Sequence, residues 1–240
     1  CDLLQAQEAK YQQMIELTGA EQGDVILEIG CGWGGFAEYA ANRNIRVHGV
    51  TLSREQLDYA RKRIVKAGLG ALATFELRDY RDLQGSYDHI VSIEMLEAVG
   101  EGYWQTYFQQ LHALLKPGGR AAIQTIVIDD SHFERYRKRT DFIQQYIFPG
   151  GMLPSPEKVS EMANESGFSI AGSESFGTDY AETLRRWRDS FNSNQASVRR
   201  LGFDTSFIRL WRFYLAYCEA GFDEHLIDVM MLQLVREGEK

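Results

Sequence analysis

The run Glu28-Ile29-Gly30-Cys31-Gly32-Trp33-Gly34-Gly35 places four glycines within six positions, with a carboxylate two residues before the first. Glycine loses more conformational freedom on folding than any other residue, so this density marks a backbone that passes close to something. Gly30, Gly32 and Gly35 fit G-x-G-x-x-G. After a strand, that spacing turns backbone N–H groups and a helix N-terminus toward a ligand. Glu28 repels a pyrophosphate and can accept hydrogen bonds from an ammonium group, directly or through water. The combination suits S-adenosylmethionine, whose amino-acid end is cationic and which carries no phosphate.

Two further stretches extend this chemistry. At the end of the next apolar run, where a ribose is expected, stands Thr51 in G-V-T-L-S-R-E-Q, and Thr51 with Gln56 can hydrogen-bond ribose hydroxyls. In R-D-Y-R-D, Asp79 can accept from the adenine amine and the Tyr80 ring can lie against the base. A nicotinamide dinucleotide fits poorly, because Glu28 faces its phosphates and Thr51 replaces the usual acid.

The elements that must hold these residues alternate. Strands are predicted at 25–29, 45–50, 74–77, 87–95 and 121–128, and helices at 36–42, from Ser53 to Gly68, and at 103–115 before the turn Lys116-Pro117-Gly118-Gly119. This is an α/β, doubly wound, mostly parallel sheet that binds ligands at the carboxyl ends of its strands. The alternation stops at 129–155, a helical insertion ending in the turn-rich IFPGGMLPS. Beyond it come a helix opened by Ser155 and Pro156, a strand at 168–176, aromatic helices near 179–192 and 205–219, and a last strand at 225–235, expected at the sheet edge.

The 240 residues suit a single domain, and the net charge of -8 argues against nucleic acid as a partner. Three cysteines (Cys1, Cys31, Cys218) and five scattered histidines show no disulfide or metal-ligand spacing. The chain opens at Cys1 directly into a helix-like run, which suggests that a segment upstream is missing.

The sequence resembles the cyclopropane-fatty-acyl-phospholipid synthases, the mycolic acid cyclopropane synthases and the related fatty-acid methyltransferases. LLQAQEAKY, LEIGCGWGG, GVTLSREQ, YDHIVSIEMLEAVG and LKPGGR carry the likeness in the cofactor half. YIFPGGMLPS, DYAETLRRW and WRFYLAYCEAGF carry it in the half that shapes the substrate site. The resemblance implies a Rossmann-like methyltransferase. In that family the methyl of S-adenosylmethionine is attacked by the cis double bond of a phospholipid acyl chain, and a bound bicarbonate ion deprotonates the cation as a cyclopropane closes. Cofactor contacts are expected at Glu28, Gly30, Cys31, Gly32, Trp33 and Gly34, then at Thr51, Leu52, Gln56, Asp79, Tyr80 and Ile93. The resemblance itself carries over the further site residues. It places bicarbonate ligands at Glu97, Tyr180 and the backbone of Ile126, with Gln124 as a further donor to the ion. Cys218 stands where the family has a cysteine marked as active, although its apolar helical setting reads as core. Phe148, Tyr146 and Trp187 are the expected acyl and cation contacts.

Ala98, Gln124 and Asp179 stand where many members have histidine, which leaves methyl transfer intact and opens the product to methylation without ring closure. Methylation of an amine or other small nucleophile, and cofactor binding without catalysis, are the rival readings. Contact with membrane phospholipid is expected to be peripheral, on the inner face of the cytoplasmic membrane. Basic clusters at 135–139, 185–188 and 199–200 would meet the headgroups, and association as a homodimer is left open.

Overall fold

The computed structural model describes residues 2–238; Cys1 lies outside them. Helix α1 (Leu3–Thr18) starts at Asp2, whose carboxylate accepts from Gln5 N–H while the Gln5 side chain returns to the Asp2 backbone. This reciprocal cap satisfies amides that the helix itself cannot. Then follow β1 (Val25–Ile29), α2 (Gly35–Ala41), β2 (Arg46–Thr51), α3 (Arg54–Lys66), β3 (Ala73–Leu77) and β4 (Tyr87–Ile93). Ser53 caps α3, and Leu57, Ala60 and Ile64 form its buried stripe, as their spacing predicts.

A short α4 (Leu96–Val99) precedes α5 (Trp104–Leu114), which is anchored by Trp104, Tyr107, Phe108 and Leu111 on one face. Burial of each such side chain contributes about 1.5–3 kcal/mol. Strand β5 (Leu115–Ile128) is longer than the sequence suggested. The Lys116–Gly119 turn does not precede it but bulges out of it, since Tyr87 pairs with Leu115 and His89 already with Arg120. Gly118, at φ 79, lets the chain make that excursion.

The insertion holds α6 (Asp130–Tyr136) and α7 (Phe142–Tyr146), followed by α8 (Pro156–Glu165), capped by Ser155 with proline in its first turn. The chain closes with β6 (Phe168–Ser175), α9 (Gly177–Ser193), α10 (Gln195–Arg200), α11 (Thr205–Asp223) and β7 (Ile227–Arg236).

The seven strands run in the order β3-β2-β1-β4-β5-β7-β6, parallel except where β7 meets both of its neighbours antiparallel. The last strand is therefore internal, not at the edge. Its Val229-Met230-Met231-Leu232 run is buried without alternation, as a strand covered on both faces requires, whereas β6 ends in exposed Ser173, Glu174 and Ser175. Helices α5 and α8 pack with one face of the sheet, α1, α2 and α3 with the other, and α9 with α11 forms a third cluster around Leu184, Leu215 and Phe222. That third cluster lies against the insertion and sets the walls of the site.

Candidate active site

The glycine loop sits at the end of β1. At Gly32, φ is 50 and no atom lies within 4 Å of where a Cβ would stand, so the loop faces open space there. Gly35 answers a different demand: a Cβ would sit 2.5 Å from the Tyr11 hydroxyl, so any side chain there would push the tyrosine of α1 away from the loop. Glu28 is buried, and its Oε2 has no hydrogen-bond partner. Burial holds its carboxyl well above the usual range, while Lys10 pulls it down. The Lys10 ammonium is itself lowered by burial and is raised by Glu94 and then by Glu28. A buried carboxylate oxygen awaiting a donor, beside an open glycine turn, fits the ammonium end of S-adenosylmethionine.

The other cofactor positions are distributed unevenly. Trp33, edge-on to Tyr59 at 5.4 Å, and Leu52 expose apolar surface. The Cys31 thiol is buried, and that burial pushes it up to about 12, so it contributes backbone and volume and no reactive thiolate. Thr51 and Gln56 are bonded to each other, Oγ1 to Oε1, at 2.9 Å, which commits the threonine proton inside the pair. Asp79 accepts from the Arg81 guanidinium at 3.0 and 2.6 Å, and this holds its carboxyl below the ordinary range. Tyr80 departs from expectation: it is buried, edge-on to Tyr107 at 5.6 Å, and its ring is core and offers no face to an adenine. Ile93 ends β4, paired with Gln124 of β5.

Immediately after β4, the chain turns through Glu94 at φ 53, a conformation that a non-glycine residue rarely adopts. Glu94 N–H donates to the Gln124 carbonyl at 2.8 Å. Its Oε1 accepts from Gln124 Nε2 at 2.8 Å, and the Tyr180 hydroxyl from α9 reaches both carboxylate oxygens at 2.9 Å. Burial, then Glu94, raises the Tyr180 hydroxyl well above its ordinary value, so it stays protonated and donates. One turn on, Glu97 Oε1 accepts from the Ile126 N–H, and Oε2 is shut off from solvent with no partner. Burial pushes the Glu97 carboxyl up to about 7 against the pull of the Ile126 N–H. Glu97, Tyr180, Ile126 and Gln124 are thus brought together around a residue the sequence reading passed over, Glu94.

These groups lie on a cavity of about 1010 Å³ with walls from the insertion, α9 and α11. Phe148, Trp187, Tyr214 and Cys218 line it; Tyr146 is not among the lining residues and its ring lies tilted against Phe142 at 5.6 Å. Burial pushes the Cys218 thiol up to about 12, which makes it an apolar wall residue and no nucleophile.

A bicarbonate ion does not fit the donors as they stand. Gln124 Nε2 and the Tyr180 hydroxyl already serve Glu94, and the Ile126 N–H serves Glu97. The unpartnered buried atoms here, Glu97 Oε2 and Gln124 Oε1, are both acceptors, and the single O–H of a bicarbonate ion could serve only one of them while its other oxygens find their donors engaged.

A family model described as mycolic acid cyclopropane synthetase matches residues 1–232, and both halves of the site lie within that match. The chain belongs to this family. It is 43% identical over 99% of its length to the tuberculostearic acid methyltransferase UfaA1 of Mycobacterium tuberculosis, covering 56% of that protein. It is 35% identical over 98% of its length to the cyclopropane-fatty-acyl-phospholipid synthase of Escherichia coli K12, covering 58% of that protein. It therefore spans rather more than half the length of these curated relatives. Among solved structures, the cyclopropane synthase MmaA2 from Mycobacterium tuberculosis superposes with a TM-score of 0.90 at 26% identity, over 98% of this chain and 85% of that one. The mycolic acid cyclopropane synthase CmaA1 complexed with SAH gives 0.91 at 27% identity, over 98% and 86%. The sheet and its flanking helices are those of class I S-adenosylmethionine methyltransferases.

Glu94 and Lys10 are the residues that sequence reasoning missed. Glu94 had a signal, since it follows β4 at the carboxyl end of the sheet, where such folds bind ligands. Lys10 had none, because its neighbours Glu28 and Glu94 come from distant segments.

Proposed function

We propose that the chain transfers the methyl group of S-adenosylmethionine to the cis double bond of a lipid acyl chain. The observation that carries this is the cavity: about 1010 Å³, walled by the aromatic rings of Phe148, Trp187, Tyr180 and Tyr214, and reaching Glu94 and Glu97 beside the cofactor cleft. An acyl chain needs such an apolar channel, and a cationic intermediate needs ring faces and the exclusion of water.

Glu28 and the loop around Gly32 would hold the cofactor, which supplies an electrophilic methyl. The chain's own residues do the rest. Tyr180 and Trp187, whose rings meet edge to face at 6.3 Å, present π-density and a phenol to the developing cation. The carboxyl groups of Glu94 and Glu97 line the cavity near it. Loss of a proton from the transferred methyl then gives either a cyclopropane or a methyl-derived branch. The likeness to a cyclopropane-fatty-acyl-phospholipid synthase supports the first fate, and the likeness to a tuberculostearic acid methyltransferase supports the second.

The substrate surface is proposed to be a phospholipid membrane approached from outside the bilayer. No helix among the described residues is long and apolar enough to cross a membrane. The clusters expected to dock are partly neutralised: Arg185 pairs with Glu182, Glu219 and Asp223, and Arg137 with Glu101 and Glu134. Arg135 and Arg139, on the cavity wall, have no carboxylate partner among the described residues and are the cations placed to meet a headgroup.

Incubation with methyl-labelled S-adenosylmethionine and vesicles of a cis-unsaturated phospholipid tests the reading. Label in the released fatty acid supports it; label only on an amine in a panel of small amines contradicts it.

A further inference from the structure

The donors that the family resemblance reserves for a bicarbonate ion are occupied by a carboxylate of the chain itself. Gln124 Nε2 and the Tyr180 hydroxyl converge on Glu94 at 2.8 and 2.9 Å. We propose that Glu94 is the general base of the reaction and that this enzyme turns over without bicarbonate. The inference rests on acyl methylation as the reaction.

Position supports it first. Glu94 lines the acyl cavity, and it follows β4, whose Ser92 pairs with Ile29 immediately ahead of the glycine loop of the cofactor cleft. The carboxylate thus stands where the two spaces meet, which is where a methyl passes from cofactor to acyl chain. Its aim is fixed as well. The backbone is held at φ 53, the N–H is tied to the Gln124 carbonyl, and two side chains grip the carboxylate. An ionised carboxylate offers about four acceptor sites, so these contacts leave room for the incoming proton. Finally, a bicarbonate ion would add a further negative charge beside Glu94 and Glu97, with its expected donors already engaged.

The electrons balance simply. The π pair of the acyl double bond forms the new bond to the methyl carbon while the sulfur keeps the pair of the breaking C–S bond. The neighbouring acyl carbon becomes cationic. A Glu94 oxygen takes a proton from the transferred methyl. The freed C–H pair closes onto the cationic carbon as a cyclopropane. In the alternative, a hydride first moves to that carbon from the methylated one, which becomes cationic, and the freed C–H pair forms a methylidene double bond between it and the transferred carbon. Glu94 returns its proton to solvent when product leaves.

The test compares the full chain with E94Q and E94G in bicarbonate-depleted and bicarbonate-supplemented buffer. It measures turnover on acyl chains and, separately and without cofactor, binding of 13C-bicarbonate by NMR. The wild type is expected to show equal turnover in both buffers and no saturable binding. E94Q is expected to lose about 100-fold or more in turnover with cofactor affinity retained. E94G, whose glycine adopts φ 53 without strain, vacates the position, binds 13C-bicarbonate and recovers turnover when it is supplied. Bicarbonate binding by the wild type at this cluster, or wild-type turnover that depends on it, would overturn the proposal, as would unchanged turnover in E94Q. A wild type that moves no methyl to acyl chains refutes the acyl reading instead, and the binding comparison between wild type and E94G still decides what occupies the position.

Discussion

The hydroxyl of Tyr180 donates to both carboxylate oxygens of Glu94 at 2.9 Å, joining the first turn of α9 to the end of β4 across 86 residues of chain. This bond ties the wall of the aromatic-lined cavity to the end of β4, the strand that pairs with β1 ahead of the glycine loop. Tyr180→Phe keeps the ring and deletes the bond. A hydrogen bond to a charged group is worth about 1.5–3 kcal/mol, so turnover is expected to fall roughly 10- to 100-fold. Cofactor affinity, measured by calorimetry, is expected to stay unchanged. Equal turnover would remove the tyrosine from the chemistry.

Glu97 makes stability depend on pH. Its folded value of about 7 lies above the ordinary 4.5, so the folded state binds the proton more tightly than the unfolded state. Its contribution is fully present below pH 4.5 and is lost as pH rises through 7. Glu97→Gln removes that loss. Urea unfolding should find the variant about 1–3 kcal/mol more stable than wild type at pH 8, with the gap shrinking toward pH 5. A gap independent of pH would show that the carboxyl is ordinary.

Gly32 can be tested apart from the fold. Valine there would be forced to φ 50, at a cost of about 1–2 kcal/mol, with its side chain in the open space of the cleft. Gly32→Val is expected to remain folded by circular dichroism and to lose S-adenosylhomocysteine binding in calorimetry. Full retention of binding would place the cofactor elsewhere.

Much of the local structure was readable because its causes are local. Ser53 and Ser155 cap the helices that follow them, and the glycines fall where the chain bends and where α1 approaches. What escaped reading depends on residues far apart in sequence. Glu94 gains its meaning from Gln124 and Tyr180, and the basic run at 185–188 loses charge to Glu219 of α11. Tyr80 follows a strand end, where a side chain can turn to ligand or to core, and Tyr107 in the core decides it. The inner position of β7 was legible in its unbroken apolar run, which outweighs its place at the end of the chain.

The membrane contact can be separated from the chemistry. Replacing Arg135 and Arg139 with glutamate is expected to reduce co-sedimentation with anionic vesicles and to weaken its salt dependence, since each basic residue near a charged surface contributes about 1 kcal/mol. Turnover on detergent-dispersed substrate is expected to hold. Unchanged vesicle binding would move the docking surface away from the cavity.

In the proposed reaction a methyl is added to an acyl double bond and then loses a proton of its own. The direct measurement supplies trideuteromethyl S-adenosylmethionine with cis-unsaturated phospholipid vesicles and weighs the released fatty acids. A product that carries the new carbon with one deuterium missing is the expected result, and its saturation tells the cyclopropane from the branched olefin. An acyl chain that keeps all the deuterium of its methyl, or a label found only on nitrogen or oxygen, would contradict the account.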